Sequence, residues 1–210
     1  MEFLRNTAKA LFNTAPTMNH YVLNTPLHVV PQGCQRAIFG LGCFWGAERK
    51  FWQQTGVVNT SVGYCGGNTE GPDYKSVCSG NTNHAEVVEI IFDPSKITYK
   101  ELLHVFWSNH DPTQVNRQGN DRGTQYRTII FYFSEEQKEQ AEKTRNVFQT
   151  KLTQNGYGKI ATEIEDGSKH TYYLAEEYHQ QYLAKNPGGY CGLKGTGCYE
   201  PGEINGLLDF

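Results

Sequence analysis

The chain has 210 residues, 38% of them hydrophobic and 20% charged, and its 19 Lys+Arg against 22 Asp+Glu give a formal charge of −3. That size fits one globular domain with appendages, and the missing basic excess argues against a bulk nucleic-acid binder. Apolar runs of about six residues, as from Thr128 to Phe133, fall far short of the roughly 20 that a membrane span needs, so a soluble protein is expected.

Residues 1–35 read as an N-terminal extension, with turn signals at Thr14-Ala-Pro-Thr, Asn24-Thr-Pro and Pro31-Gln-Gly. Its Phe3, Leu4, Ala8, Leu11 and Phe12, at helical spacing with Arg5 and Lys9, suit either an organelle transit segment or a surface helix. A cytoplasmic location is expected, with a mitochondrial one as the alternative. Residues 36–185 form the α+β domain expected to carry the chemistry. Within it, Ala37 to Leu41 predicts a buried strand and Trp45 to Gln54 a helix with Phe51 and Trp52 inward. Val57 to Tyr64 and Glu86 to Phe92 predict further strands. A helix over Ile97 to Trp107 opens on the capping-box pattern Thr98-x-x-Glu101 and buries Leu102, Leu103, Phe106 and Trp107. The strand Thr128 to Phe133 leads through Ser134-x-x-Gln137, a second capping box, into a polar helix reaching about Thr153. A strand near Ile160 to Ile164 and a helix from about Leu174 to Lys185 complete the domain. Residues 186–210 are a tail too rich in glycine for regular structure, read as mobile and carrying two cysteines. No internal repeat is visible, and the mixture of strands and helices predicts an α/β or α+β sandwich.

The six cysteines are Cys34, Cys43, Cys65, Cys78, Cys191 and Cys198. A chain of this size has its own core and shows no signal peptide, so a reducing compartment is expected rather than a disulfide framework. Cys43 sits in Gly40-Leu-Gly-Cys-Phe-Trp-Gly46, between a strand and a helix, where the free N–H groups and dipole of the helix start favour a thiolate. The location by itself divides evenly between a nucleophile and an inert buried thiol. The same glycines do not make a dinucleotide fingerprint, because Trp45 occupies the place of the third glycine. His84-Ala-Glu86 resembles half of a zinc deaminase signature, but no C-x-x-C occurs anywhere in the chain. Glu86 opens an apolar strand, which suits either a carboxyl of raised pKa acting as a proton donor or a solvated strand end. Tyr74, Asp121 and Tyr126 fall in loops, where each is an ordinary turn or surface residue when taken singly; together with Cys43 they offer hydroxyl and carboxyl groups to a polar oxygen. Phe44 and Trp45 suit either core packing or an apolar wall for a small alkyl group.

From Gly42-Cys-Phe-Trp-Gly46 onward the chain resembles the methionine sulfoxide reductase A family. The likeness runs through Tyr74-Lys-Ser-Val-Cys-Ser-Gly, His84-Ala-Glu-Val-Val, Asn109-His-Asp-Pro-Thr-Gln, Gly119-Asn-Asp-Arg-Gly-Thr-Gln-Tyr-Arg, Tyr178-His-Gln-Gln-Tyr-Leu and Asn186-Pro-Gly-Gly-Tyr-Cys-Gly, about Ala37 to Cys198 in all. It implies a two-layer α+β sandwich on a mixed β-sheet and reduction of the S epimer of methionine sulfoxide, free or in proteins, as part of the repair of oxidised proteins. In that scheme Cys43 attacks the sulfoxide sulfur, Glu86 protonates the departing oxygen, Tyr74 and Tyr126 hold that oxygen, Asp121 positions the substrate, and Phe44 and Trp45 cradle the S-methyl group. The resulting Cys43 sulfenic acid condenses with Cys191, and Cys198 passes the disulfide to a thioredoxin-type donor. No bound cofactor or metal is implied; the partners are thioredoxin and oxidised proteins, with neither nucleic acid nor membrane, and a monomer is the default. Two departures from the family pattern stand out: Cys65 replaces a small non-thiol residue, and Asn83 replaces a glycine, with Asn able to adopt the same left-handed backbone. The Cys191 to Cys198 spacing is also slightly short for the family, while Cys34 and Cys78 read as structural or incidental. Two other classes fit parts of the pattern. A cysteine hydrolase would pair Cys43 with a histidine such as His84, and a binding module would recognise oxidised methionine without consuming thiols.

Overall fold

The computed structural model describes residues 18–27 and 29–198. The helical spacing of Phe3 to Phe12 lies outside these residues. The elements in chain order are β1 (Gln35–Leu41), α1 (Phe44–Trp52), β2 (Val57–Cys65), α2 (Tyr74–Cys78), β3 (Ala85–Phe92), α3 (Tyr99–Ser108), the two-residue strands β4 (Arg117–Gln118) and β5 (Asp121–Arg122), β6 (Thr128–Tyr132), α4 (Glu135–Gln154), β7 (Glu163–Asp166), β8 (Tyr173–Leu174) and α5 (Tyr182–Lys185). Six strands form one sheet in the order β7-β6-β1-β3-β2-β8, antiparallel throughout except for the parallel pair β6 and β7. A mixed open sheet with helices packed on it makes this an α+β sandwich, as the sequence implies.

Alternation along the strands divides the core between the two faces of the sheet. Phe39 and Leu41 of β1 and Val88, Ile90 and Phe92 of β3 face Phe51 of α1, Phe106 and Trp107 of α3 and Phe148 of α4, all of them buried. Ile38, Val87, Ile129 and Phe131 point the other way, under Phe133 and Tyr172. Burying an aromatic or aliphatic side chain of this kind contributes about 1.5–3 kcal/mol, so the helix-covered face carries most of the stability.

Helix starts follow the sequence signals closely. Thr98 and Glu101 form a reciprocal capping box on α3. Ser134 accepts from the N–H of Gln137 at 3.2 Å, but the Gln137 side chain accepts from Phe133 N–H and donates to the Arg36 carbonyl, so only half of the second box closes. Asn83 adopts φ +54°, the left-handed conformation expected of it.

Three expectations change. The strand predicted near Ile160 to Ile164 forms at Glu163–Asp166, because Ile160 packs into the core and the Ala161 N–H donates to the Pro112 carbonyl instead of to a strand. The helix predicted from Leu174 to Lys185 shrinks to its last four residues. Tyr173 and Leu174 pair with β2, and Gln181 takes a left-handed φ of +49° that no helix accommodates. The glycine-rich tail has no regular element in its described part, 186–198, but it lies packed on the body. Leu193 contacts the core, and the Tyr157 hydroxyl donates to the Thr196 carbonyl at 3.1 Å. Among the described residues no helix is long and apolar enough to cross a membrane.

Candidate active site

β1 ends at Leu41, Gly42 turns the chain at φ +98°, and Cys43 stands as the N-cap of α1. A side chain at Gly42 would be strained by that φ and would also press on the Gln118 side chain, which is why glycine serves here. Glu86 lies on β3 with the same parity as Val88 and Ile90, so its side chain rises on the helix-covered face directly under the start of α1. There its Oε2 accepts from the Phe44 N–H at 3.0 Å, one of the N–H groups that a helix start leaves without an internal partner.

Cys43, Phe44, Trp45, Tyr74, Glu86, Asp121, Tyr126 and Tyr190 together line one cavity of about 200 Å³. Every residue the sequence assigned to the reaction centre and to the methyl pocket borders this cavity, and Tyr190 joins them. Cys191 and Cys198 do not line it. The Cys191 sulfur rests against Gly46, where an added Cβ would lie 2.8 Å from it, so the tail cysteine packs on the first turn of the helix that Cys43 caps. Cys198 packs against the core farther along the tail, and all six cysteines are free thiols.

The electrostatics separate the two central groups from their ordinary behaviour. Burial pushes the Glu86 carboxyl up to about 8, against the pull of the Phe44 N–H, so it is a neutral acid at pH 7. Burial also pushes the Cys43 thiol well above its usual range, with the Glu86 and Asp121 charges adding to the effect. The N–H groups of Trp45 and Gly46 stabilise the sulfur as expected of a helix start, but they are outweighed. The expected resting thiolate is therefore corrected to a thiol. Burial likewise raises Tyr74 and Tyr126, which remain O–H donors, and it raises Asp121 against a hydrogen bond from the Tyr190 hydroxyl.

Several supports of this cavity are residues to which the sequence assigned no role. Glu176 accepts from the Tyr64 hydroxyl at 2.9 Å and the Tyr74 N–H at 2.8 Å, holding the start of α2. Arg127 donates to the carbonyls of Asn83, Thr124 and Gly66 and pairs with Glu163 at 3.0 Å, fixing the loops on either side of Tyr126 and the entry to β3. Trp45 donates from Nε1 to His179 Nδ1 at 3.0 Å and stacks on Tyr182 at 3.9 Å between ring centroids. Arg127, His179 and Tyr182 stand within the motifs of the family resemblance but were given no role there, and Glu176 lies outside those motifs.

His84 does not serve Cys43. Its Nδ1 accepts from the Gly67 N–H and its Nε2 bonds the Thr69 carbonyl, so both ring nitrogens are committed to a loop outside the cavity. Among the described residues no three His, Cys, Asp or Glu side chains gather in a way that would hold a metal ion.

A family model described as peptide methionine sulfoxide reductase matches residues 35–200. The peptide methionine sulfoxide reductase MsrA of Azotobacter vinelandii is 55% identical over 204 residues, covering 94% of each chain. That of Vibrio cholerae is 54% identical over 199 residues, covering 94% of this chain and 91% of its own. Among solved structures, methionine sulfoxide reductase A of Corynebacterium diphtheriae superposes with a TM-score of 0.79 at 44% identity, covering 83% of this chain and 84% of its own. Mxr1 from Saccharomyces cerevisiae in reduced form gives 0.70 at 39% identity, covering 77% and 90%.

Proposed function

Since the chain belongs to the peptide methionine sulfoxide reductase family, and is an oxidoreductase of that class, we propose that it reduces methionine S-sulfoxide with Cys43 as nucleophile and Glu86 as acid. The observation that carries this reading is a carboxyl whose pKa burial raises to about 8, so that it is protonated at pH 7, in the same 200 Å³ cavity as a free thiol. A sulfoxide oxygen leaves poorly as an anion, so the thiol attack needs a proton delivered to that oxygen. Glu86 gives its proton to the oxygen and takes back the proton of Cys43, so the step is proton-neutral. The bond from the substrate sulfur to oxygen breaks and one from the Cys43 sulfur to oxygen forms. Methionine is reduced by two electrons and Cys43 is oxidised by two, to a sulfenic acid.

Tyr74 and Tyr126, both held as O–H donors, are suited to bind the oxygen while its charge grows. Asp121, tied to Tyr190 across the cavity mouth, orients the substrate. Phe44 and Trp45 supply the apolar wall that receives the S-methyl group. Cys191 then attacks the sulfenic sulfur, releasing water and leaving a Cys43–Cys191 disulfide. Cys198 exchanges into that disulfide, and a thioredoxin dithiol restores the thiols. Oxidised proteins and free methionine sulfoxide are the substrates.

The test is a single turnover of fully reduced protein with both epimers present. One methionine per enzyme from the S epimer alone, with two thiols lost and neither event in Cys43→Ser, is the expected result. Methionine from both epimers, or methionine formed with all thiols intact, overturns the scheme.

A further inference from the structure

Outside the cavity, Glu48 is a carboxyl with no exposure to solvent on the inner side of α1, just over one turn beyond Cys43. Among the described residues no cation bonds it directly. It accepts instead from the Gln181 N–H at 2.8 Å, the Gln181 side-chain amide at 2.6 Å and the Thr60 hydroxyl at 3.0 Å. A buried carboxyl is costly unless fully hydrogen-bonded, so this arrangement is tightly constrained.

The network has a definite direction. His20 Nδ1 accepts from the N–H groups of Val22 and Leu23, so Nε2 bears the proton and donates to the Thr60 hydroxyl at 2.8 Å, which donates onward to Glu48. The Gln181 side-chain carbonyl accepts from the Tyr21 N–H at 3.0 Å, closing the circuit. Residues 18–27 are thereby strapped across α1 and the 179–182 turn. Gln181 is also the residue at φ +49°, a conformation a non-glycine residue keeps only when its surroundings enforce it. On either side of it stand His179, which accepts from the Trp45 indole, and Tyr182, on which that indole stacks.

We propose that Glu48 is a positioning residue for the sulfoxide pocket: it locks the 179–182 turn that holds Trp45 in place, and it joins that turn to the N-terminal strap. Glu48 touches neither substrate nor the reacting atoms and acts through Gln181 on the methyl-binding wall. The inference rests on the proposed role of Trp45. Loosening the turn weakens substrate binding more than it slows the chemical step, because Cys43 and Glu86 are held by β1 and β3 and by the Phe44 N–H.

Glu48→Gln turns one acceptor oxygen into a donor that faces donors. The reciprocal pair Glu48→Gln with Gln181→Glu restores a donor and an acceptor at that contact. The expected result is a KM for methionine sulfoxide raised about tenfold in Glu48→Gln, kcat within about threefold of wild type, and a KM restored by the double variant. The indole N–H resonance of Trp45, assigned as the one missing from Trp45→Phe, shifts in the single variant and returns in the double. A single variant with unchanged KM and unchanged Trp45 resonance overturns the proposal, even if its melting temperature falls. If the single variant does not fold, a folded double variant with raised KM and a displaced resonance overturns it equally. A wild-type protein that makes no methionine refutes the reductase reading, whereas the Trp45 resonance still decides whether Glu48 sets the turn.

Discussion

Replacing Glu86 by Gln separates its chemistry from its architecture. The amide oxygen of Gln still accepts from the Phe44 N–H, now at 3.0 Å from the carboxyl, so the start of α1 keeps its anchor. What is lost is the proton. With its carboxyl pushed up to about 8, Glu86 is about nine-tenths protonated at pH 7, and a positioned acid of this kind accelerates a step by roughly 10²–10⁴-fold. The first turnover, followed by methionine formation in rapid quench, should slow by about that factor, and its fall-off in rate near pH 8 should disappear. Stability should move in the opposite direction. Glu86 holds its proton more tightly in the folded chain, near 8, than at the ordinary 4.5, so ionisation favours the unfolded chain as pH rises across that window. The stabilisation is complete below pH 4.5, is lost progressively above it, and is gone once pH passes about 8. Glu86→Gln never pays that cost, and in urea melts at pH 8 it should exceed wild type by on the order of a few kcal/mol. A variant that keeps more than about a tenth of the first-turnover rate, or one less stable than wild type at pH 8, refutes the reasoning.

The tail and the loops give further tests. Cys191→Ser should still release one methionine per enzyme but stop thereafter with a thioredoxin donor, leaving a sulfenic acid at Cys43 that a dimedone probe labels by mass spectrometry. Gly46→Ala places a Cβ 2.8 Å from the Cys191 sulfur and 3.2 Å from the Leu193 Cβ, so it should displace the tail. Loss of the second thiol in stopped-flow titration should slow by about tenfold while methionine formation keeps its rate, since the substitution itself favours the helix by about 1 kcal/mol. Asn83→Ala, at φ +54°, should cost about 1 kcal/mol in thermal melts while Asn83→Gly costs little, because a Cβ without a polar side chain has no compensation for the left-handed conformation.

What the sequence made legible was set by burial and by helix ends. Leu102, Leu103, Phe106 and Trp107 announced their face through the helical period, β1 and β3 announced themselves as apolar runs, and Thr98 and Ser134 announced their helices through hydroxyls that accept the free N–H groups. A carboxyl in an apolar strand made Glu86 conspicuous, and the meeting of a strand, a glycine and a helix did the same for Cys43, but each divided between a functional and a bland reading until the family resemblance joined them. The protonation state of Cys43 was not legible. It depends on how the dipole of one helix end compares with burial and two carboxyls brought in from β3 and β5, and spacing along the chain carries no information about that sum.

The segment from Ala175 to Gln181 failed for a different reason. Its apolar residues fall at helical intervals, yet its backbone is held by side chains standing in for secondary structure. The Gln180 amide accepts from the Val62 N–H at 2.9 Å and donates to the Val62 carbonyl at 2.8 Å, imitating a strand neighbour just where β8 ends. Glu48 receives the Gln181 N–H, and Glu176 receives the N–H of Tyr74. Each of these bonds replaces a repeating backbone pairing with a single non-repeating one, so none leaves a period to read. The same bonds fix the turn beneath Trp45 and the start of the helix bearing Tyr74, while regular secondary structure fixes Cys43 and Glu86. Cys43 and Glu86 thus sit on elements that the sequence reveals, and the walls proposed to hold the substrate sit on elements that it does not. On this division, substitutions at Gln180 and Glu176 should shift substrate affinity before they alter the rate of the chemical step.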